Sequence, residues 1–328
     1  MAFLTSATRA LGAAVVAAGM LAAQAAAAPY PDHPVRLIVP TPPGNALDIS
    51  ARLLARELTQ TWNQTVVVEN KPGGSGIPAM LTAKSAAPDG YTLLMGPSSS
   101  VGINPGLFPK LPYKPLEDFD LIGGMYTAPL ILVANKDFPH HTIAALLQAA
   151  ARQPGHYSMA YGGPYGSTQH LSAELFKHAT GADFIGVPYQ GSAPALQDLI
   201  GGQTQLMFDS VASTLPHIRS ESVRPIAVTS PARLALLPDV PTLAELGYPG
   251  FEASSWGGII APKGLPPEVA KKIAADLQAV VGRPAIQEEL TRLGLVPDTR
   301  SSAQWREFVG REIDKWGQLI KTANIKTE

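Results

Sequence analysis

The 328-residue chain contains no cysteine. That absence excludes a disulfide framework, thiol catalysis and a lipid-modified cysteine at an export cleavage site. It has no run of basic residues either. Its 25 Lys and Arg stand against 26 Asp and Glu, a formal net charge of −1, so nucleic acid is not an expected partner. Beyond the N-terminus no apolar stretch approaches the ~20 residues a membrane-spanning helix needs, and the remainder is expected to be soluble. There is no Gly-x-Ser-x-Gly elbow, which argues against an α/β-hydrolase. No repeat of roughly 20–50 residues is visible, which argues against a solenoid.

What is present begins with a targeting segment. Met1–Arg9 carries one positive charge, Arg9, and Leu11–Ala23 is apolar. Ala25–Ala28 supplies small residues for cleavage, so residues 1–28 are expected to be an export signal removed near Ala26 to Ala28. A retained membrane anchor is the less favoured reading, because the apolar run is short. About 300 residues then remain, natural for two domains. The 31 Pro and 30 Gly are spread along the chain, which suits many tight turns rather than disorder.

Strand and helix signals alternate. Strands are expected at Val35–Val39, Val66–Glu69, within Pro88–Gly96, and at Pro129–Val133, Phe184–Pro188, Gln205–Phe208 and Pro225–Thr229. Helices are expected at Asp48–Trp62, Ile77–Ala86, Thr142–Arg152, His170–Thr180 and Ala193–Ile200. In the first of these Ile49, Leu53, Leu54, Leu58 and Trp62 fall near one face. The C-terminal third reads as helical. Pro266-Pro267 opens one helix, and Ser301-x-x-Gln304 is a capping box for a long last helix striped by Trp305, Phe308, Ile313, Trp316 and Ile320. Such alternation predicts an α/β fold with mostly parallel sheets. Leu130–Asn135 and Arg224–Ser230 look like crossings between two lobes. They predict a discontinuous first lobe (29–129 plus 232–328), a second lobe (130–231), and a two-strand hinge beside a closing cleft.

Four strand signals end in glycine-rich turns that open into helix starts. Unpaired N–H groups at the positive end of a helix form an anion site. In the first turn, TPPGNALD, Asn45 can cap the helix with Asp48 reaching back from N3. Either Asp48 is only a cap, or Gly44, Asn45 and Ala46 aim N–H groups into a cleft. Local sequence does not choose. The second turn, Gly73–Gly76, imitates a dinucleotide fingerprint, but Pro78 intrudes and the acidic residue expected at the next strand end is missing. Close backbone packing is the better reading there. The third turn, YGGPYGSTQH, holds Gly162, Gly163, Pro164 and Gly166, more than a cap at Ser167 or Thr168 needs. In the fourth, PYQGSAPA, Ser192 suits a cap, Pro194 suits the first helical turn, and Tyr189 suits an aromatic wall.

Other constellations are weaker. His170, Glu174 and His178 recur every four residues on one helix and resemble a metal set. Three ligands on one straight face diverge, however, and HExxH spacing is absent. His140-His141 reads as a solvated loop. Ser98, Ser99 and Ser100 either line a cleft or form an exposed turn.

In order along the chain stand YPDHPVRLIVP, the G-x-x-x-D turn with DISARLLARELTQ, VVVENKPGGSG, APDGYTLLMGPSS, GST-x-HL-x-AELF, VPYQGSAPALQDLIGGQ, LMFDS, LPDVPTLAELG and SSWGGIIAP. With these blocks the chain resembles the substrate-binding proteins of tripartite tricarboxylate transporters, the Bug family, from Tyr30 to near Ile320. The resemblance implies a two-lobed type II periplasmic binding fold that closes on a small carboxylate and passes it to membrane permease subunits. It further implies a periplasmic monomer without cofactor, metal or catalysis. Carried over, the ligand contacts are Gly44, Asn45, Asp48, Ser98 and Ser99 in the first lobe, and Gly166, Ser167, Thr168, Tyr189, Gly191, Ser192 and Asp209 in the second. Two departures touch this pocket. Asn45 stands where the family carries a second glycine, and the third turn is about one residue short, with Tyr165 in place of a small residue. The four turns contain no Arg, so ligand charge would be met by N–H dipoles.

Two alternatives remain beside a transporter receptor. One is a ligand-loaded co-sensor for a membrane signalling protein, separable by whether a permease or sensor gene lies alongside. The other is a secreted metal-dependent hydrolase using His170, Glu174 and His178, separable by metal analysis.

Overall fold

The computed structural model describes residues 30–163 and 165–326. The expected export signal and Pro164 of the third turn lie outside them. Residues 34–328 form one contiguous unit.

In the N-terminal part, three apolar β-branched runs form parallel strands. They are β1 (Val35–Val39), β2 (Val66–Asn70) and β3 (Thr92–Pro97), with β1 in the middle and Val35 opposite Val66, Leu37 opposite Leu93. Helices α1 (Ala46–Trp62) and α2 (Ile77–Lys84) make the crossovers that parallel pairing requires. Leu47, Leu53, Leu54, Leu58 and Trp62 are buried along α1, whereas Ile49, expected on the same face, is exposed. After β3 a π-helical turn (Ser99–Ile103) leads into α3 (Asn104–Leu107), and α4 (Pro115–Asp118) precedes the long strand β4 (Phe119–Asn135).

The middle of the chain repeats the pattern. Thr142 caps α5 (Ile143–Arg152), followed by β5 (Ser158–Tyr161), α6 (Thr168–Thr180), β6 (Ile185–Pro188), α7 (Ser192–Ile200), β7 (Leu206–Ser210), α8 (Val211–Arg219) and β8 (Val223–Val228). Strand β5 lies parallel between β6 and β7, with Ala160 opposite Val187 and Met207. Gly181, in the left-handed region, closes α6 as expected.

The last third is not all helical. It opens with a nine-residue strand, β9 (Ser254–Pro262), before α9 (Pro267–Val281), α10 (Pro284–Arg292), the two-residue β10 (Val296–Pro297) and α11 (Ser302–Thr322). The Ser301–Gln304 capping box forms in both directions. Strand β4 is also longer than the expected Pro129–Val133. Its first half pairs antiparallel with β9 and β10, and its second half with β7 and β8. The strand path is therefore β2-β1-β3-β9-β4-β7-β5-β6, parallel on both flanks and antiparallel in the centre. Gly123-Gly124 and Gly257-Gly258 interrupt the apolar pattern of the two central strands. They make room for bulk. A Cβ on Gly258 would lie 2.3 Å from the Trp305 ring, and one on Gly123 2.9 Å from Leu277.

Trp305, Phe308 and Val309 of α11 pack with Ile38, Leu94, Trp256 and Ile260. Its last turns, with Trp316 and Ile320, join Leu132, Phe176 and Phe208 instead. Leu234, Leu237 and Val240 pack with Ile131, Val133 and Met207, and Leu243 and Phe251 with Phe176. Residues 234–251 thus rest on the β5–β7 half of the sheet.

Candidate functional site

Every candidate turn stands at the carboxyl end of a strand, where open α/β sheets bind ligands. In the first half, α1 begins just past β1, and the Ser98–Ile103 turn just past β3. In the second half, α6, α7 and α8 begin past β5, β6 and β7. Strand alternation puts these ends at one edge of each parallel group.

The first turn is held from within. Asn45 caps α1 by accepting the Asp48 N–H at 3.0 Å, and its Oδ1 also accepts from the Thr41 hydroxyl at 3.1 Å. Asp48 reaches back to the Gly44 N–H at 2.9 Å, so that donor is already engaged. The other partners of Asp48 are Arg52 Nε at 3.0 Å and Asn70 Nδ2 at 2.8 Å. Burial alone would raise its pKa. The bonds from Arg52, Asn70 and Gly44 outweigh burial and hold it below the usual carboxylate range. Asp48 thus serves the capping role of the two readings above and occupies the Gly44 donor, and Gly44 and Asn45 are exposed beside it.

The second turn packs backbone closely, as expected. Gly76 has φ +78°, and a Cβ there would lie 2.2 Å from Ser100 Oγ and 3.3 Å from Pro40. The Ser75 carbonyl accepts from Ser100 Oγ at 3.1 Å and Asn104 Nδ2 at 3.0 Å. This gathers the first turn, the second turn and the serine turn. Ser98 is buried and Ser99 half-buried at that point.

In the third turn Ser167, not Thr168, caps α6, accepting the His170 N–H at 3.3 Å. Gly166 has φ +80°, and a Cβ on it would meet Leu107 at 2.6 Å. Its N–H donates to His170 Nδ1 at 2.9 Å. That bond requires a neutral His170. Burial lowers the pKa of His170, with Glu174 opposing. The rings of Tyr161, Tyr165 and His170 cluster at 4.8–6.2 Å, with Tyr165 mostly exposed. Glu174 pairs with Lys177 at 3.1 Å, and among the described residues no three metal-capable side chains converge.

The fourth turn differs from expectation. Gly191 occupies the N-cap position of α7 without a side-chain bond, and Ser192 is the first helical residue. The Ser192 hydroxyl accepts from Ser213 at 3.2 Å. Tyr189 is half-buried, and its hydroxyl donates to Asp198 at 2.7 Å, so its proton is already engaged. Burial, then Asp198, pushes its phenol up to about 12.

Asp209 is the last residue but one of β7 and is wholly buried. Its Oδ1 accepts the Ser210 N–H at 2.7 Å and Gln169 Nε2 at 3.4 Å, while Oδ2 has no hydrogen-bond partner. Burial pushes it up to about 6, with Ser192, Ser210 and Gln169 pulling back. The structure thus gathers Gly166, Ser167, Thr168, Ser192 and Asp209 in one half, and Gly44, Asn45, Asp48, Ser98 and Ser99 in the other. Sequence reasoning named Gly162 only as a turn residue and missed Arg52, Asn70, Gln169 and Ser210; Asn70, Gly162 and Gln169 meet partners far along the chain, whereas Arg52 and Ser210 lie within four positions of theirs.

A separate apolar cavity of about 300 Å³ lies among Thr127, Pro129, Leu234, Leu236, Leu295 and Pro297. None of the candidate residues lines it, and the guanidinium of Arg233 at its wall is taken by Glu245 at 3.0 Å.

A sequence profile described as the tripartite tricarboxylate transporter family receptor matches residues 50–325. The chain is 38% identical to protein BugT of Bordetella pertussis over 313 residues, 95% of each chain. It is similar in structure to an R. palustris protein solved with adipate, at 33% identity and TM-score 0.77, over 90% of this chain and 99% of that one. It is also similar to MatC from Rhodopseudomonas palustris with bound malate, at 31% identity and TM-score 0.73, over 89% and 100%. The chain belongs to the tripartite tricarboxylate transporter receptor family.

Proposed function

We propose that this chain is an exported, monomeric solute-binding protein, not an enzyme, that captures a small carboxylate between two lobes and delivers it to the permease of a tripartite transporter. The observation that carries the reading is the placement of helix starts at strand carboxyl ends in both halves, α1 in one and α6, α7 and α8 in the other. Helix starts favour anions through oriented N–H groups and need no guanidinium. The adipate and malate bound to two similar proteins support the ligand class.

The lobes we propose are the β1–β3 half and the β5–β7 half. They are joined outward by β4 and back by the segment from Thr229 to Ser254. Residues 234–251 pack on the second half, which supports a return crossing at 253/254 in place of the expected 231/232. Closure on a ligand follows if the closed form binds it more tightly, and the permease then distinguishes the two forms. Residues 1–28 act as the cleavable periplasmic signal.

Native mass spectrometry of the purified protein, followed by denaturation and identification of released small molecules, tests the reading. A co-purified small acid supports it. An empty protein whose melting temperature no small carboxylate raises at millimolar concentration refutes it, because selective binding to the folded state must stabilise that state.

A further inference from the structure

Each half of the chain carries a buried carboxylate beside its turns, but the two are compensated differently. Asp48 is met by the Arg52 guanidinium. Asp209 has no cationic partner among the described residues. Its contacts are one backbone N–H, the weak Gln169 bond and the neighbouring Ser192 hydroxyl, all neutral, and Oδ2 is buried without a hydrogen bond within 3.5 Å. Its place is set by Gly162, since a Cβ there would lie 2.8 Å from the carboxylate atoms. It stands where three helices begin. Gln169 is in the first turn of α6, Ser192 opens α7, and Ser210 caps α8.

We propose that Asp209 sets the charge the second half of the site accepts. There the ligand presents a hydrogen-bond donor (a hydroxyl, amide or ammonium group), and a second carboxylate enters only with a proton. This rests on the binding-protein reading above. The positive ends of α6, α7 and α8 would welcome an anion, but a resident carboxylate already cancels them. A second like charge in a water-poor site is disfavoured, and the pair instead shares a proton. The buried position that holds Asp209 at about 6 makes that proton available close to neutral pH. The ionisable neighbours do not supply a counter-charge. His170 accepts from Gly166, Lys177 is paired with Glu174, and the Tyr189 hydroxyl with Asp198. Strand β4 faces Asp209 with Ile131, and the first turn of α8 carries no charge.

The test is calorimetry on the whole exported chain with matched probes: adipate against 6-hydroxyhexanoate, and succinate against 4-hydroxybutyrate. Wild type is expected to prefer the hydroxy acid by about tenfold or more near pH 8. Its affinity for the diacid should tighten by up to roughly tenfold per pH unit towards pH 6. Asp209→Asn is expected to bind the diacid about tenfold better near pH 8 and to lose the pH dependence. Proton uptake by the wild type on diacid binding, from buffers of differing ionisation enthalpy, tests the same point without a variant. Equal affinities with no proton uptake, or an unchanged profile in Asp209→Asn, overturn the proposal alone. No binding of any probe by either protein removes the proposal together with the carboxylate reading it rests on.

Discussion

Thr229 and Leu130 are hydrogen-bonded in both directions. The Leu130 N–H donates to the Thr229 hydroxyl at 2.8 Å, and the Thr229 N–H donates to the Leu130 carbonyl at 2.9 Å. The same hydroxyl lies 2.5 Å from the Ala253 carbonyl. One buried side chain thus ties the outgoing central strand to the returning segment.

Thr229→Val keeps the shape and leaves the Leu130 N–H without its acceptor. It is expected to cost about 1–3 kcal/mol, the range for an unsatisfied buried group. Thr229→Ser keeps the hydroxyl and should cost less. Urea unfolding of both variants checks the order, and equal losses would refute the hydrogen-bond account.

Asp48 predicts an acid-sensitive first turn. Its folded pKa lies below the unfolded value, so its stabilisation is present above the unfolded pKa near 4 and is lost as pH falls through the folded value. Asp48→Asn can turn its one acceptor oxygen to Gly44 and Arg52, but it then sets its NH2 against the Asn70 Nδ2 donor and loses the charge that faces Arg52. It should cost about 1–3 kcal/mol at neutral pH and flatten the stability profile below about pH 4. Denaturant midpoints across that window measure it.

His170 predicts a loss in the same direction, at higher pH, in the third turn. Its folded pKa lies below the free value of 6.5, so protonation opposes the fold, and stability is lost as pH falls from about 6.5 towards the folded pKa. His170→Asn retains an acceptor for the Gly166 N–H and should remove this loss. His170→Leu leaves that N–H unpaired and should cost about 1–3 kcal/mol at neutral pH. A wild-type midpoint that does not move between about pH 7 and 5 would count against it.

Gly76→Ala combines a left-handed backbone with a Cβ placed against Ser100 and Pro40. The expected loss is about 1–3 kcal/mol. Adding Ser100→Gly should recover part of it by removing the clash, and a double-mutant cycle measures that coupling.

The central strands show where linear reading falls short. Phe119–Ala128 and Ser254–Pro262 carry strand-forming residues, but each holds a glycine pair that breaks the alternation. That pair makes sense only once Trp305 is seen lying on it. Likewise nothing near Ser192 signals that Gly191 takes the cap position, because the choice depends on how the chain leaves β6.

The sequence by itself determined the α/β alternation, the caps at Asn45, Thr142 and Ser301, the glycine turns and the family, and it narrowed the α6 cap to Ser167 or Thr168. Each depends on residues within three or four positions of one another, or on motifs read in order, so a linear pattern carries them. Only the tertiary structure decided that Asn70 joins Asp48, that Gly76 packs on Ser100, and that Asp209 is buried under Gly162. Strand register and side-chain packing across long separations set those relationships, and both are properties of the assembled sheet.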